Sequence, residues 1–172
     1  MLVVADTSPL RYLVVIQAIE ILPLLYERVV VPQAVLAELQ HPRSPREVRD
    51  WLATPPAWVE VRQPQQRIRL ARLGPGEQDA IHLAEELHAD LVLMDDEDGR
   101  IEAERRALAV IGTLGVLERA AERGLLDLPS ALTRLRATNF FVDDALIQDA
   151  LIGFRGLMLP WCPRSATHVY GS

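Results

Sequence analysis

Four carboxylates stand where apolar runs give way to polar chain. Asp6 directly follows the run 2–5 and Asp95 the run 91–94, while Glu38 and Asp79 lie in helical stretches after residues 29–31 and near Pro75. Carboxylates gathered together repel one another and must be protonated or neutralised by a cation. Oxygen-only donors suit hard divalent ions, Mg²⁺ or Mn²⁺. Two such ions about 4 Å apart activate a water and stabilise the leaving oxygen of a phosphodiester. Histidine is not needed for that chemistry, and the four here, His41, His82, His88 and His168, form no ligand pattern. Each acid also has an ordinary structural use. An aspartate after a strand serves turns and caps, and acids in a first helical turn, as Glu77 and Asp79 are placed, complement the helix dipole. The run Asp95-Asp96-Glu97-Asp98 leaves both Asp95 and Asp96 open as the ligand, and Glu77 stands beside Asp79 as an alternative in the same way.

The elements that must position these acids alternate. Residues 2–5, 29–31 and 91–94 read as short buried strands, being apolar and largely β-branched or aliphatic, and 58–61 and 109–111 read as further short strands. Helices are expected from residue 7 to about 26, over 33–40 and 45–53, from Pro75 to about 88, over 99–108, 114–123 and 130–137, and over 143–152. Pro75 suits a first helical turn, and Ala80, Ile81, Leu83, Ala84 and Leu87 make one apolar stripe behind it. Strand–helix alternation implies right-handed crossovers and a parallel sheet of four to five strands covered on both faces, a three-layer α/β/α architecture. In such sheets ligands bind beyond the carboxyl ends of the strands, which is where Asp6 and Asp95 fall.

At 172 residues the chain matches one ordinary domain, and nearly half of it is apolar. The domain is expected over 1–155, with 156–172 an irregular or disordered tail carrying Pro160 and Pro163. No apolar stretch approaches the roughly 20 residues of a membrane span, and the start 1–5 lacks the basic flank of a signal peptide. One cysteine, Cys162, permits no internal disulfide and suits a reducing compartment; a cytoplasmic protein without membrane contact is the expectation. The net charge of −6 is unlike the basic footprint of a typical nucleic-acid-binding domain, but bound metal brings positive charge to an acidic pocket. All 18 basic residues are arginine. That pattern reads first as a composition bias and second as a match between the guanidinium fork and phosphate.

Five segments in order resemble the motifs of PIN-domain proteins, in the branch related to VapC-type toxins. They are Val3-Val4-Ala5-Asp6-Thr7-Ser8-Pro9-Leu10, Pro32-Gln33-Ala34-Val35-Leu36-Ala37-Glu38-Leu39, Gly76-Glu77-Gln78-Asp79-Ala80-Ile81-His82-Leu83-Ala84, Leu91-Val92-Leu93-Met94-Asp95-Asp96 and Ile111-Gly112-Thr113-Leu114-Gly115-Val116-Leu117. Leu93 and Met94 stand where the family commonly has a threonine near its fourth acid. The resemblance spans about 1–155. It implies a PIN-like, Rossmann-like sheet with Asp6, Glu38, Asp79 and Asp95 around Mg²⁺ or Mn²⁺, with Asp96 and Glu77 as further ligand candidates. It also implies an endoribonuclease, the toxin of a toxin–antitoxin pair, acting on RNA, restrained by a protein antitoxin and assembled as a homodimer. Thr7, Ser8 and Thr113 would support the ligands or contact phosphate, or simply cap helices.

Two rivals are weighed. An aspartyl-phosphate phosphatase on a similar sheet needs a second acid two residues after its strand-end aspartate, where this chain has Ser8. A catalytically silent PIN-like scaffold would bind RNA or protein without cutting, though it would have little reason to keep four mutually repelling acids. Arg67, Arg69 and Arg72 precede the third motif and read as a solvated helix face or as a phosphate-steering patch.

Overall fold

The computed structural model describes residues 1–140 and 144–158. Strands β1 (Leu2–Ala5), β2 (Arg28–Pro32), β3 (Val59–Arg62), β4 (Leu91–Leu93) and β5 (Val110–Ile111) form one parallel sheet in the order β3-β2-β1-β4-β5. This is the expected architecture. The three central strands are apolar on both faces because helices cover both. Val3, Ala5, Val29, Val31, Leu91 and Leu93 point into the larger core, while Val4, Val30, Val92 and Met94 point into the smaller one.

The larger core is closed by α1 (Thr7–Val15), α2 (Leu22–Leu25), α3 (Gln33–Leu39), α4 (Arg46–Ala53), α7 (Thr113–Glu122), α8 (Leu128–Arg136) and α9 (Asp144–Met158). The smaller is closed by α5 (Pro75–Glu86) and α6 (Glu97–Arg105), together with Leu70 and Leu73 from the connection ahead of α5. Leu10, Leu13, Leu83, Leu93, Leu117 and Leu132 are among the side chains that lose essentially all solvent contact, each contributing roughly 1.5–3 kcal/mol of burial.

Four features depart from the sequence expectation. The first helix does not run to Tyr26: α1 ends at Val15, Gln17 takes φ 58°, and a 3₁₀ turn (Ile19–Ile21) leads into α2. The two helical pieces are bent by 118°. Helix α6 begins at Glu97, ahead of the expected 99, because the Asp96 carboxylate accepts from the Gly99 N–H at 3.0 Å and caps it. The stretch 63–73, read as a polar helix face, is neither helix nor strand. Helix α9 continues past the expected 152 to Met158, and the tail beyond it lies outside the described residues. Among the described residues no single helix is long and apolar enough to cross a membrane.

Candidate active site

The chain leaves β1 for β2 on one side and later adds β4 on the other, so the topology reverses at β1. Such a switch point opens a crevice beyond the carboxyl ends of the strands. Register places two acids there. Ala5 pairs with Leu93, the Asp6 N–H donates to the Leu93 carbonyl at 2.9 Å, and Asp95 follows two residues after Leu93.

Asp6 is 2 % exposed and its Oδ1 has no hydrogen-bond partner. Burial, reinforced by the charges of Glu77 and Glu38, pushes its carboxyl up to about 7, against the pull of the Thr7 and Ser8 N–H groups. A carboxylate in that state needs a proton or a cation. Glu38, on α3, is fixed from two sides: Thr7 Oγ1 donates to its Oε2 at 2.5 Å and the Gly76 N–H to its Oε1 at 2.8 Å. A Cβ at position 76 would stand 2.7 Å from Glu38 Oε2, so glycine there lets the start of α5 close on α3.

Glu77 and Asp79 part company. Glu77, at the N3 position of α5, accepts from the N-cap Gly74 N–H at 2.6 Å, the acidic half of a capping box. Burial raises its carboxyl, and the charges of Asp96, Glu38 and Asp98 raise it further, which places it among the acids of the crevice. Asp79, 3 % exposed, instead takes a 2.6 Å ion pair from Arg67. The acids whose charges bear most on Asp6 are Glu77 and Glu38.

Asp95 faces Thr113, whose N–H and Oγ1 donate to its two oxygens at 2.7 and 2.6 Å. Gly112, at the N-cap of α7, has no side chain to offer, and Asp95 supplies the cap across the sheet. A Cβ on Gly112 would stand 2.8 Å from Asp95 Oδ1. Burial raises the Asp95 carboxyl while Thr113 and the Arg100 charge hold it down. Arg100 donates to the Met94 carbonyl at 3.2 Å. Sequence reading passed over Arg100, because nothing in its spacing marks it. Asp96 spends one oxygen on the α6 cap.

The crevice thus draws together Asp6, Glu38 and Glu77, with Asp95 and Asp96 after β4 on its other side, while Asp79 turns toward Arg67. Among the described residues no group of three or more His, Cys, Asp or Glu side chains is close enough to hold a metal ion as positioned. The donor chemistry nonetheless fits a hard cation: the set is all oxygen, and the unpartnered Oδ1 of Asp6 lies buried within reach of two further acidic charges. A family model described as a PIN domain matches residues 2–154. No curated protein matches the chain.

Proposed function

Because this chain belongs to the PIN-domain family, whose members are generally nucleases, we propose that it is a divalent-metal-dependent endoribonuclease whose acidic centre is Asp6, Glu38, Glu77 and Asp95. The observation that carries the reading is the buried Asp6 carboxyl with one oxygen unpartnered, raised to about 7 beside Glu77 and Glu38. Mg²⁺ or Mn²⁺ bound among these acids would supply an activated water and charge neutralisation for phosphodiester hydrolysis. The chain's own groups hold the acids in place. Thr7 and the Gly76 N–H orient Glu38, Thr113 orients Asp95, and the Thr7 and Ser8 N–H groups face Asp6. Asp96 and Asp79 stand aside in this assignment, the first as the α6 cap and the second as the partner of Arg67. A toxin role, with a protein antitoxin covering the crevice and a homodimer as the working form, extends the same reading from the family resemblance.

The rival reading, RNA binding without cleavage, draws on the hydrogen bonds that already occupy both oxygens of Glu38 and of Asp95. One experiment separates the two. Incubation of an RNA pool with the protein and Mn²⁺ gives cleavage that EDTA stops and that Asp6→Asn abolishes with the fold retained. Equal cleavage by wild type and variant overturns the assignment of the centre, and no cleavage or metal binding by wild type favours the silent scaffold.

A further inference from the structure

The irregular stretch 65–73 is held along α5 by side chains of that helix. The Glu86 carboxylate accepts from the N–H groups of Gln65 and Gln66 at 2.9 and 3.1 Å, His82 Nε2 from that of Ile68 at 3.4 Å, and Gln78 Oε1 from that of Leu70 at 3.0 Å. Gln78 Nε2 returns a bond to the Leu73 carbonyl at 2.7 Å, and Arg67 pairs with Asp79. Leu70 and Leu73 are buried in the smaller core. The segment is therefore a strap, fastened at five places and anchored by two leucines.

Its arginines have separate fates. Arg67 is committed to Asp79. Arg69 and Arg72 are exposed and enter none of the hydrogen bonds or ion pairs observed among the described residues. They form one wall of a groove of about 360 Å³ whose other wall is α6, contributing Asp98, Ile101, Glu102 and Arg105. Glu102 is already engaged by Arg105 and Arg106. Against Arg69 and Arg72 only Asp98 is left without an ion pair there. In a chain of net charge −6 this groove carries a local surplus of positive charge. It also adjoins the acidic centre, since Asp98 stands in the first turn of α6, which directly follows Asp95 and the capping Asp96. Ile101, 48 % exposed, gives the floor an apolar surface.

Building on the nuclease reading above, we propose that this groove is the path of a single-stranded RNA backbone leading to the acidic centre, with Arg69 and Arg72 contacting successive phosphates and Ile101 lying against a base. Guanidinium groups suit phosphate oxygens through their paired donors, and phosphate contacts fix the register of a strand without reading its sequence. Arg69 and Arg72 stand three residues apart on the strap, the second in the turn at 71–72 with φ 71°. Acidic repulsion at the centre opposes RNA approach, and a basic approach groove beside it offsets that repulsion before any cation binds.

The test measures binding of a short labelled oligouridylate in EDTA by fluorescence anisotropy across a salt series. The variants are Arg69→Gln/Arg72→Gln together and, as a control for losing a surface arginine elsewhere, Arg46→Gln, whose ion pair with Asp50 lies on the solvent face of α4. The double variant is expected to lose about tenfold in affinity and to flatten the slope of log K against log salt by about 1.4, the share of two phosphates on a single strand. Its melting temperature should match wild type, because neither side chain holds the fold. Arg46→Gln should bind as wild type does. Unchanged affinity and slope in the double variant, with wild type binding RNA, overturn the groove and leave the nuclease reading standing; those arginines would then serve another partner, such as an acidic protein segment. Failure of wild type to bind the oligonucleotide also overturns the groove, while the nuclease reading stands or falls separately on Mn²⁺-dependent cleavage of the RNA pool.

Discussion

Replacing Asp6 with asparagine should stabilise the metal-free protein, and the gain should grow with pH. Its folded carboxyl titrates at about 7 against an ordinary 3.8. The fold therefore prefers the protonated form. The stability this confers is fully present below about 3.8 and is lost as pH rises toward 7. At about 1.36 kcal/mol per unit the full cost of ionising Asp6 in the fold is about 4 kcal/mol, and about 3 kcal/mol of it develops between pH ~5 and pH ~8.5. Asparagine carries no charge to titrate. Its amide near the unpartnered position costs roughly 1–3 kcal/mol, but equally at both pH values, so the pH dependence isolates the carboxyl. Urea unfolding in EDTA at the two pH values reads the result directly: the stability of the variant minus that of wild type should rise by about 3 kcal/mol. Mn²⁺ added at the higher pH should then raise wild-type stability and leave the variant unmoved. Parallel pH profiles for the two proteins would refute the claim that Asp6 is a buried, cation-seeking carboxylate.

Three further substitutions probe the rest of the centre. Glu77→Gln should abolish Mn²⁺-dependent RNA cleavage while Asp79→Asn keeps most of it; the reverse order, measured under the same conditions, would return Asp79 to the centre. Gly76→Ala should change stability by less than about 1 kcal/mol, since alanine's higher helix propensity offsets the displaced Glu38 carboxylate. Its cleavage should nevertheless fall sharply, and wild-type turnover in that variant would show that the position of Glu38 is unimportant. Thr113→Val should cost about 1–3 kcal/mol and weaken Mn²⁺ binding about 10–100-fold by calorimetry, with Thr113→Ser restoring both; a Val variant that binds Mn²⁺ normally would detach Thr113 from the role of orienting Asp95.

The central strands were legible because their middles are short apolar runs, and the strand-end rule picked out Asp6 and Asp95, which the structure sets just beyond β1 and β4. The choice between Glu77 and Asp79 was not legible. Two positions apart on a helix are about 200° apart around its axis, so one faces the crevice and the other the strap. Which is which depends on how α5 docks against α3, through a contact between Gly76 and Glu38 that are far apart in sequence. Asp95 and Asp96 posed the same difficulty. Only the folded chain shows Asp96 capping α6 while Asp95 reaches Thr113. The strap's course was not legible because it has no periodic pattern of its own: its conformation is dictated by the side chains of α5, and nothing in residues 65–73 announces them.

That arrangement separates what holds the strap from what the strap presents. Apart from the Arg67–Asp79 pair and the two leucines, the fastening is made between backbone groups of the strap and side chains of Gln78, His82 and Glu86 on the helix. Backbone groups are the same whatever residue carries them. The instructions for docking are thus written on α5, and the outward positions of the strap are left free to be rewritten. On the groove proposed above, residues 69 and 72 would be exchangeable contact positions: new side chains grafted there would inherit the placement of the old ones, within the limits that φ 71° sets at position 72, and phosphate affinity would change without the scaffold being disturbed.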